Sequence, residues 1–469
     1  MVEFLTLFLG LVGGPQLVAL DTSPEVAVIQ LRLGGEVVGA REHPPWNFEV
    51  DFGNDLAPRE LEAVAFDDAG REVSRTRQLL NLPRPPAEVR LVLVRDDGSA
   101  VVRTHWESAV AVDPTAASVI LDGERLALEG ATPAERVSVI SLPDVDSGVS
   151  HLLEVELEFG PEVQASAHLI FGLGPGFQTN AELTAFPVTG GRRLRAEKMN
   201  GWFRFVDGER APKVVAVEKG LADVVVVLGP EVDETLLSLD GMPEGGLSVD
   251  TAALGTVAVG SGIDSSNLGG FRGGPPQQLS AEEEVRSALG LPHDIRLRVL
   301  LPRARSGSGR RVELDRFLIS PDITEQMGGL PRALSLPLDE VEDGGEVRIW
   351  DAVALAGLRA AESNRRRAVV LAVAGGWHER SLYSEPAVRR FLEAIRVPLY
   401  VWHVVDDRAE TAVVGGSAER IHKFSQLRAA ARRMRKDVDR QRIVWFEGVH
   451  LPSSIQMANG AGVEPVTRR

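Results

Sequence analysis

Cysteine is absent from the 469-residue chain, and lysine is scarce. Without cysteine there is no disulfide, thiolate zinc site, iron–sulfur cluster or cysteine nucleophile. Only five of the 51 basic residues are lysine. We interpret the excess of arginine as a general usage bias, which lowers the weight of any arginine run as a recognition signal. No stretch reaches about 18 continuous apolar residues, so the sequence predicts no integral membrane segment.

Positive charge is also in deficit. The chain has 51 Lys and Arg against 67 Asp and Glu, a formal net charge of −16. Such a surface repels phosphate backbones, so we expect no nucleic-acid partner. Phosphate-binding loops, nucleophile elbows and paired zinc-binding histidines are missing, and the nine histidines are scattered. The sequence therefore predicts no cofactor, no metal and no catalytic residue, and favours a protein that is not an enzyme.

Short apolar stretches separated by turn residues fill the first 190 positions, as is typical of β-sandwiches. Residues 1–83 form one predicted sandwich and residues 87–189 a second, with the proline-rich break at 83–86 as the boundary. The apolar stretch at 5–12 lacks the basic flank of a secretion signal. We therefore interpret residues 4–11 and 16–20 as the first strands.

The pattern changes after residue 200. Residues 202–206 and 214–217 are interpreted as one more hairpin. Apolar strands then alternate with amphipathic helices, for example a strand at 222–228 and a helix at 349–362. This alternation predicts an α/β doubly wound domain over 200–458. Residues 241–278 are rich in Gly, Ser and Pro, which predicts a flexible insertion.

Three segments of the first sandwich carry a resemblance to a known module. They read LRLGGEVVG (31–39), PPWNFEVDF (44–52) and RELEAVAFDDAGRE (59–72). In this order they resemble the bacterial immunoglobulin-like modules of cell-surface proteins, over about residues 14–83. The resemblance implies a spacer or interaction module with no chemistry of its own, and an extracytoplasmic location.

Segments of the last region are similar to the von Willebrand factor A domain, over roughly 210–450. They read ADVVVVL (222–228), GEVRIWDAVALAGLRAAESNRRRAVVLAVAGG (345–376), VPLYVWHV (397–404) and RIVWFEG (442–448). The resemblance implies a Rossmann-type fold that holds a divalent cation at the carboxyl edge of its sheet. An Asp-x-Ser-x-Ser loop, a Thr and a second Asp supply the ligands in that family.

The positions that match these ligands carry other residues here. The loop after Leu228 reads Gly-Pro-Glu-Val-Asp, the Thr position is Val347 and the second Asp position is Ala374. Magnesium requires hard oxygen ligands in near-octahedral geometry. The sequence therefore predicts a degenerate metal site with no bound ion.

Five residues at this edge remain candidates for binding a partner. Glu231 and Asp233 follow the first parallel strand, and Trp377, His378 and Glu379 follow another, where open α/β sheets bind ligands. The sequence thus favours a non-catalytic interaction or adhesion protein that binds an unidentified protein partner. Two alternatives stay open. One is an enzyme that uses Glu231, Asp233 and His378. The other is a structural subunit that self-associates through sandwich strand edges.

Overall fold

The computed structural model describes residues 2–6, 8, 10–22, 25–82, 87–96, 99–108, 114–126, 131–132, 137–142, 151–160, 163–171, 178–179, 183–190, 194–199, 201–206, 211–243, 285, 288–304, 317–324, 328–335, 346–375, 379–405, 418–458 and 462–466. The predicted insertion at 241–278 lies outside these residues except for positions 241–243. Among the helices of this part of the chain, none combines the length and the apolar character that crossing a membrane requires.

The first β-sandwich packs two antiparallel sheets against each other, in the orders β4-β3-β6-β7 and β1-β2-β5. Its strands are β1 Val2–Phe4, β2 Pro15–Thr22, β3 Val28–Leu33, β4 Glu36–Arg41, β5 Asn47–Asp51, β6 Arg59–Phe66 and β7 Glu72–Leu80. Gly34 and Gly35 join β3 to β4 with φ of 60° and 88°. Positive φ at both positions is what a tight two-residue hairpin requires.

The second β-sandwich consists of sheets β11-β10-β14-β15-β16 and β12-β13-β9-β8. Its strands are β8 Ala87–Asp96, β9 Ser99–Ser108, β10 Ala116–Leu121, β11 Glu124–Leu126, β12 Ala131–Thr132, β13 Val137–Ser141, β14 His151–Glu158, β15 Gln164–Phe171 and β16 Gln178–Thr179. Alternation along β14 directs Leu153, Val155 and Leu157 into the core between the sheets. Glu154 and Glu156 lie on the opposite face of the same strand.

A separate four-stranded sheet joins the sandwiches to the rest of the chain, and we call it the connecting sheet. Its order is β19-β27-β17-β29. The elements of this region are β17 Leu183–Thr189, α1 Ala196–Met199, β18 Phe203–Phe205, β19 Val214–Glu218, β27 Gln441–Glu447, a 3₁₀ turn Pro452–Ser454, β28 Ile455–Met457 and β29 Glu464–Pro465.

Two strand assignments differ from the sequence analysis in this region. The strand at 183–189, which the sequence analysis assigned to the second sandwich, pairs with β27 about 250 residues later. The predicted hairpin of 202–206 with 214–217 was wrong, because β18 pairs with β28 and β19 pairs with β27. Both differences concern which strands pair across long stretches of chain, a property that local turn and alternation patterns do not encode.

The last region is an α/β domain with the sheet order β22-β21-β20-β24-β25-β26, in which β23 also pairs with β21. Strands β20, β21, β24, β25 and β26 are parallel, and β22 is an antiparallel edge. Its elements are β20 Ala222–Leu228, α2 Val232–Leu237, β21 Ile295–Ala304, β22 Phe317–Ile319, α3 Gly329–Leu334, β23 Glu346–Val347, α4 Ile349–Glu362, β24 Arg366–Ala374, α5 Glu385–Ala394, β25 Leu399–Val404, β26 Glu419–Ile421 and α6 Phe424–Asp439. Apart from the short β23, the strands follow the doubly wound order 3-2-1-4-5-6, with the antiparallel β22 in the third position.

Helices cover both faces of the parallel sheet. One face packs against α2, α3 and α6, and the other against α4 and α5. Leu11 and Leu56 of the first sandwich are 1% exposed and belong to the same apolar cluster as α4 and α5. The first sandwich therefore shares a core with the α/β domain.

Candidate functional site

The carboxyl edge of the parallel sheet, where the sequence predicts the site, is built from backbone and hydrocarbon at its key positions. The Gly229 amide donates to the Ala372 carbonyl at 2.8 Å, which extends the β20–β24 ladder by one residue. Val347 in β23 pairs with Arg303 of β21, and Ala374 ends β24 with 2% exposure. None of the three matched ligand positions supplies a side-chain oxygen.

Glu231 lies at this edge, directly before α2. Its φ is 60°, and its carbonyl accepts hydrogen bonds from the Thr235 amide and hydroxyl at 3.0 and 2.6 Å. The Glu231 carboxylate lies over Gly375, so close that a Cβ at Gly375 would overlap it. Asp233 is half-buried in the first turn of α2. The fold therefore places Glu231 between the ends of β20 and β24.

Glu379 begins the described part of the loop after β24, and Trp377 and His378 lie outside the described residues. A Glu379 carboxylate oxygen accepts from the Ser381 amide at 2.8 Å. The Arg380 amide donates to the Val347 carbonyl at 3.0 Å, which holds the loop against β23. Glu379 therefore shapes its own loop.

Asp351 and Ser381 hold this loop to the start of α4 through reciprocal hydrogen bonds. The Ser381 hydroxyl accepts from the Trp350 and Asp351 amides at 2.9 and 3.1 Å, and so caps the helix from outside. In return, the Asp351 carboxylate accepts from the Leu382 and Tyr383 amides at 3.0 and 3.1 Å. Sequence analysis did not single out this pair, because a remote cap has no spacing signature.

Asp351 also forms a buried ion pair. The Arg348 guanidinium lies 2.6 Å from its carboxylate, and Asp351 has no exposed surface. Burial raises the pKa of Asp351 above its usual value, although the two amides and Arg348 act in the opposite direction. Both oxygens of this carboxylate are thus bonded to groups inside the protein.

The first sandwich covers one side of the same loop. Tyr383 is 5% exposed and contacts Gly13, where an added Cβ would lie 2.9 Å from the tyrosine hydroxyl. Leu382, in contrast, is 50% exposed. At the carboxyl edge, Leu382 and Glu231 are therefore exposed to solvent, while the neighbouring Tyr383 is covered by the first sandwich.

The magnesium ion that the A-domain resemblance implies does not fit these residues. Octahedral Mg²⁺ is bound by carboxylate or hydroxyl oxygens. Gly229, Val347 and Ala374 have none, and Asp351 is committed to Arg348 and the loop amides. Across the described ranges there is no group of three or more His, Cys, Asp or Glu side chains able to hold a metal ion.

A second cluster of charged side chains lies at the opposite, amino end of the parallel strands, and we call it the junction network. Glu154 and Glu156 of β14 enter it from the second sandwich, and Arg296 and Arg365 enter it from the α/β domain. Arg365 pairs with Glu156 and lies 3.7 Å from Glu154, while Arg296 lies 3.5 Å from Glu156. The side chains of Glu154, Glu156 and Arg365 are at most 5% exposed. These pairs connect two domains in a desolvated interface.

His168 and Trp445 complete the junction network on the side of the connecting sheet. Their rings are in tilted contact with centroids 4.1 Å apart, and His168 lies 3.9 Å from Glu154. The Trp445 indole donates to Glu218 at 3.0 Å. Burial, aided by the Arg365 charge, lowers the pKa of His168 to about 3. His168 is therefore neutral at physiological pH.

Burial raises the pKa of Glu154 to about 7 against the opposing charge of Arg365, and the acidic neighbours Glu218, Glu156 and Asp223 contribute to the increase. A carboxyl group with such a pKa changes its charge near neutral pH. The junction network was not predicted from the sequence. Glutamates at alternate positions of β14 are typical of a solvated strand face, and the arginine run at 365–367 was interpreted as usage bias. Arg365, Arg366 and Arg367 are in fact all buried.

These observations define the class of protein as a multidomain chain with two β-sandwiches packed on a doubly wound α/β domain. No protein-family model matches the chain, and no curated protein sequence matches it. Among solved structures, the fibronectin(III)-like modules of Clostridium thermocellum CbhA match with 17% identity and a TM-score of 0.16, over 17% of this chain and 93% of that one. The central fibronectin-III array of RIM-binding protein matches with 9% identity and a TM-score of 0.18, over 41% of this chain and 74% of that one. At these TM-scores neither likeness supports a functional statement, so the β-sandwich assignment depends on the sheet topology.

Proposed function

We propose that the chain is a non-catalytic protein-interaction protein of the adhesion type, which binds a protein partner at the carboxyl edge without a metal ion. Its α/β domain is von Willebrand A-like with a degenerate metal site. Its location is extracytoplasmic, in keeping with the bacterial immunoglobulin-like resemblance of the first sandwich. The doubly wound strand order supports the A-like assignment, because it is the fold that the resemblance implies.

One observation carries this proposal. The three positions that match metal ligands in the A-domain family carry Gly229, Val347 and Ala374, which have no side-chain oxygen. The nearby Asp351 is buried, and its carboxylate bonds to the amides of the loop after β24. General acid–base or metal chemistry needs a reactive group within hydrogen-bond reach of a substrate. The exposed Leu382 side chain and Glu231 carboxylate at this edge favour binding of a protein surface over catalysis.

Affinity capture with the full chain tests the proposal. The native chain is immobilised and exposed to an extract of its source, once with Mg²⁺ and once with a chelator. We expect one protein to be retained in both buffers and to be lost with Leu382→Asp. Val73→Asp is the matched control, since Val73 is a 41% exposed apolar residue on the first sandwich. Retention that requires Mg²⁺, or that Leu382→Asp leaves unchanged, would contradict the proposal.

A second candidate function is self-assembly through the edge of the first sandwich. Strand β4 is an edge strand, and its Val37 and Val38 are 55% and 40% exposed. Exposed apolar edge strands are templates for pairing with another copy. Size-exclusion chromatography with light scattering tests this function by measuring the mass of the full chain in solution. An oligomer that the Val37→Lys variant no longer forms would support self-assembly. A monomer at high protein concentration would contradict it.

A further inference from the structure

The second sandwich contacts the rest of the protein through an apolar part and a charged part. The apolar part is a small buried cluster that the sandwich shares with the connecting sheet, composed of Leu152, Ile170, Ala185, Ile443 and Trp445. On the same outer face of β14, Glu154 and Glu156 enter the junction network. Docking of the second sandwich therefore depends on the state of buried charges as well as on apolar contact.

The two glutamates of β14 are not equally well paired. The Arg365 guanidinium donates a hydrogen bond to Glu156. The Glu154 carboxylate, in contrast, lies 3.7 Å from Arg365 Nε and 3.9 Å from His168 Nε2. N–H···O hydrogen bonds are about 2.7 to 3.2 Å long, so neither contact is one. Within the described ranges no other side chain or amide donates to this carboxylate. A buried carboxylate without a donor is costly when ionised, which favours its protonated form.

The charged groups around Glu154 are mainly acidic. They come from several packed elements and are Glu156 of β14, His168 of β15, Glu218 of β19, Asp223 of β20 and Arg365, directly before β24. Since His168 is neutral, a single cation faces these three carboxyl groups and Glu154. The next cation of the network is that of Arg296, which is shared among Glu156, Glu158 and Asp322. An ionised Glu154 would therefore have no cation of its own.

Burial of Glu154 depends on docking. The outer face of β14 and β15 is covered at this point by the α/β domain through Arg365 and by the connecting sheet through Trp445. On a separated sandwich the same face would meet water, where a glutamic acid has its usual pKa of 4.5. In the docked protein, burial raises the pKa of Glu154 to about 7. The docked form thus binds the proton more tightly, and by linkage the proton favours docking.

We propose that the junction network makes docking of the second sandwich depend on pH: a protonated Glu154 favours the docked form, and its ionisation favours separation. The contribution of the proton to docking is complete below pH 4.5 and is lost as pH rises through 7. Between pH 5.5 and 7.5 the docking equilibrium constant should fall roughly 20-fold. Separation would uncover the apolar surface around Leu152, Ile170 and Trp445.

Labelling of one engineered cysteine in the full chain measures docking, because the chain has no cysteine of its own. Ala185→Cys places a thiol in the apolar cluster, where Ala185 is 5% exposed. Its rate of reaction with a soluble aromatic disulfide is divided by the rate for Ser425→Cys, an exposed position on α6. This ratio removes the pH dependence of thiol reactivity itself. We expect the ratio to rise roughly 20-fold from pH 5.5 to pH 7.5.

A second pair of variants assigns the rise to Glu154. Adding Glu154→Gln to Ala185→Cys should make the ratio independent of pH, because glutamine cannot ionise. Adding Glu36→Gln, which changes an exposed residue of β4, should leave the rise unchanged. A ratio that does not rise with pH, or a rise that Glu154→Gln leaves intact, would overturn the proposal.

A third cysteine separates docking from unfolding. Ala165 belongs to the core between the two sheets of the second sandwich, so Ala165→Cys reacts only when that sandwich unfolds. We expect it to react at least tenfold more slowly than Ala185→Cys at each pH. Equal rates at the two positions would show that the sandwich is released only by unfolding, and would overturn the proposal. No residue of the carboxyl edge takes part in these measurements, so their failure is distinguishable from failure of the proposed function.

Discussion

Replacing Glu154 by Gln should make the stability of the protein less sensitive to pH. The Glu154 side chain is 5% exposed and lies in the junction network, facing Arg365 and His168, with Glu156, Glu218 and Asp223 as further acidic neighbours. Glutamine has the shape of the protonated glutamic acid but cannot ionise. The variant therefore removes one titration and keeps the packing.

The sign of the effect follows from the two pKa values of Glu154. The unfolded value is 4.5 and the folded value is about 7, so the folded state binds the proton more tightly. Between these values only the folded protein keeps the proton, and stability falls as pH rises. The stabilisation is complete below pH 4.5 and is lost above pH 7. With about 1.4 kcal/mol per pKa unit, the native protein loses roughly 3 kcal/mol across this window.

Urea unfolding of the full chain at several pH values between 5 and 8 measures the effect. The unfolding free energy of Glu154→Gln minus that of the native chain should increase by roughly 2 to 3 kcal/mol over this range. Glu36→Gln is the matched control, since Glu36 is exposed on β4. A difference independent of pH would refute the reasoning, because it would mean that Arg365 keeps Glu154 ionised in the folded protein throughout.

Three further substitutions test the packing around the domains by thermal unfolding. Asp351→Ala should cost about 3 kcal/mol, because it leaves a buried guanidinium and two loop amides without their carboxylate. Gly357→Ala gains about 1 kcal/mol of helix propensity, yet a Cβ there overlaps Leu392 of α5. We therefore expect a net loss of about 1 to 3 kcal/mol. Asn81→Leu should cost about 1 to 3 kcal/mol, since the Asn81 side chain bonds three backbone groups of the first sandwich.

Each of these three expectations has a result that contradicts it. An unchanged midpoint for Asp351→Ala would show that the loop is held by other contacts. A higher midpoint for Gly357→Ala would show that α4 and α5 separate easily enough for helix propensity to dominate. A midpoint for Asn81→Leu equal to that of the native chain would show that the backbone groups it bonds find other partners.

Local patterns in the sequence were sufficient for many elements of the α/β domain. Strand 222–228 and helix 349–362 have the predicted bounds. Each was predicted from a pattern contained within the element itself, a continuous apolar stretch for the strand and an apolar stripe of helical period for the helix. Helix α6 begins at Phe424, directly after the edge strand β26 at residues 419–421. The alternation of strands and helices also predicted a parallel sheet, and the strand pairing shows five parallel strands together with the antiparallel β22 and β23.

Strand pairing between distant residues was not predictable in the same way. Strand β17 follows the second sandwich in the chain and alternates as the sandwich strands do, yet it pairs with β27. No residue type in 183–189 specifies a partner at 441–447. The pairing joins segments about 250 residues apart, and local alternation does not encode such a contact.

At the candidate sites, too, some properties follow from residue identity and others depend on the tertiary structure. Side-chain identity alone determined that positions 229, 347 and 374 offer no oxygen ligands, since a glycine, a valine or an alanine lacks such groups in any fold. Only the tertiary structure decided that Glu154, Glu156 and Arg365 are buried partners rather than solvated charges. The reason is physical: covalent chemistry belongs to each residue, whereas desolvation and unpaired edges exist only where separate segments meet.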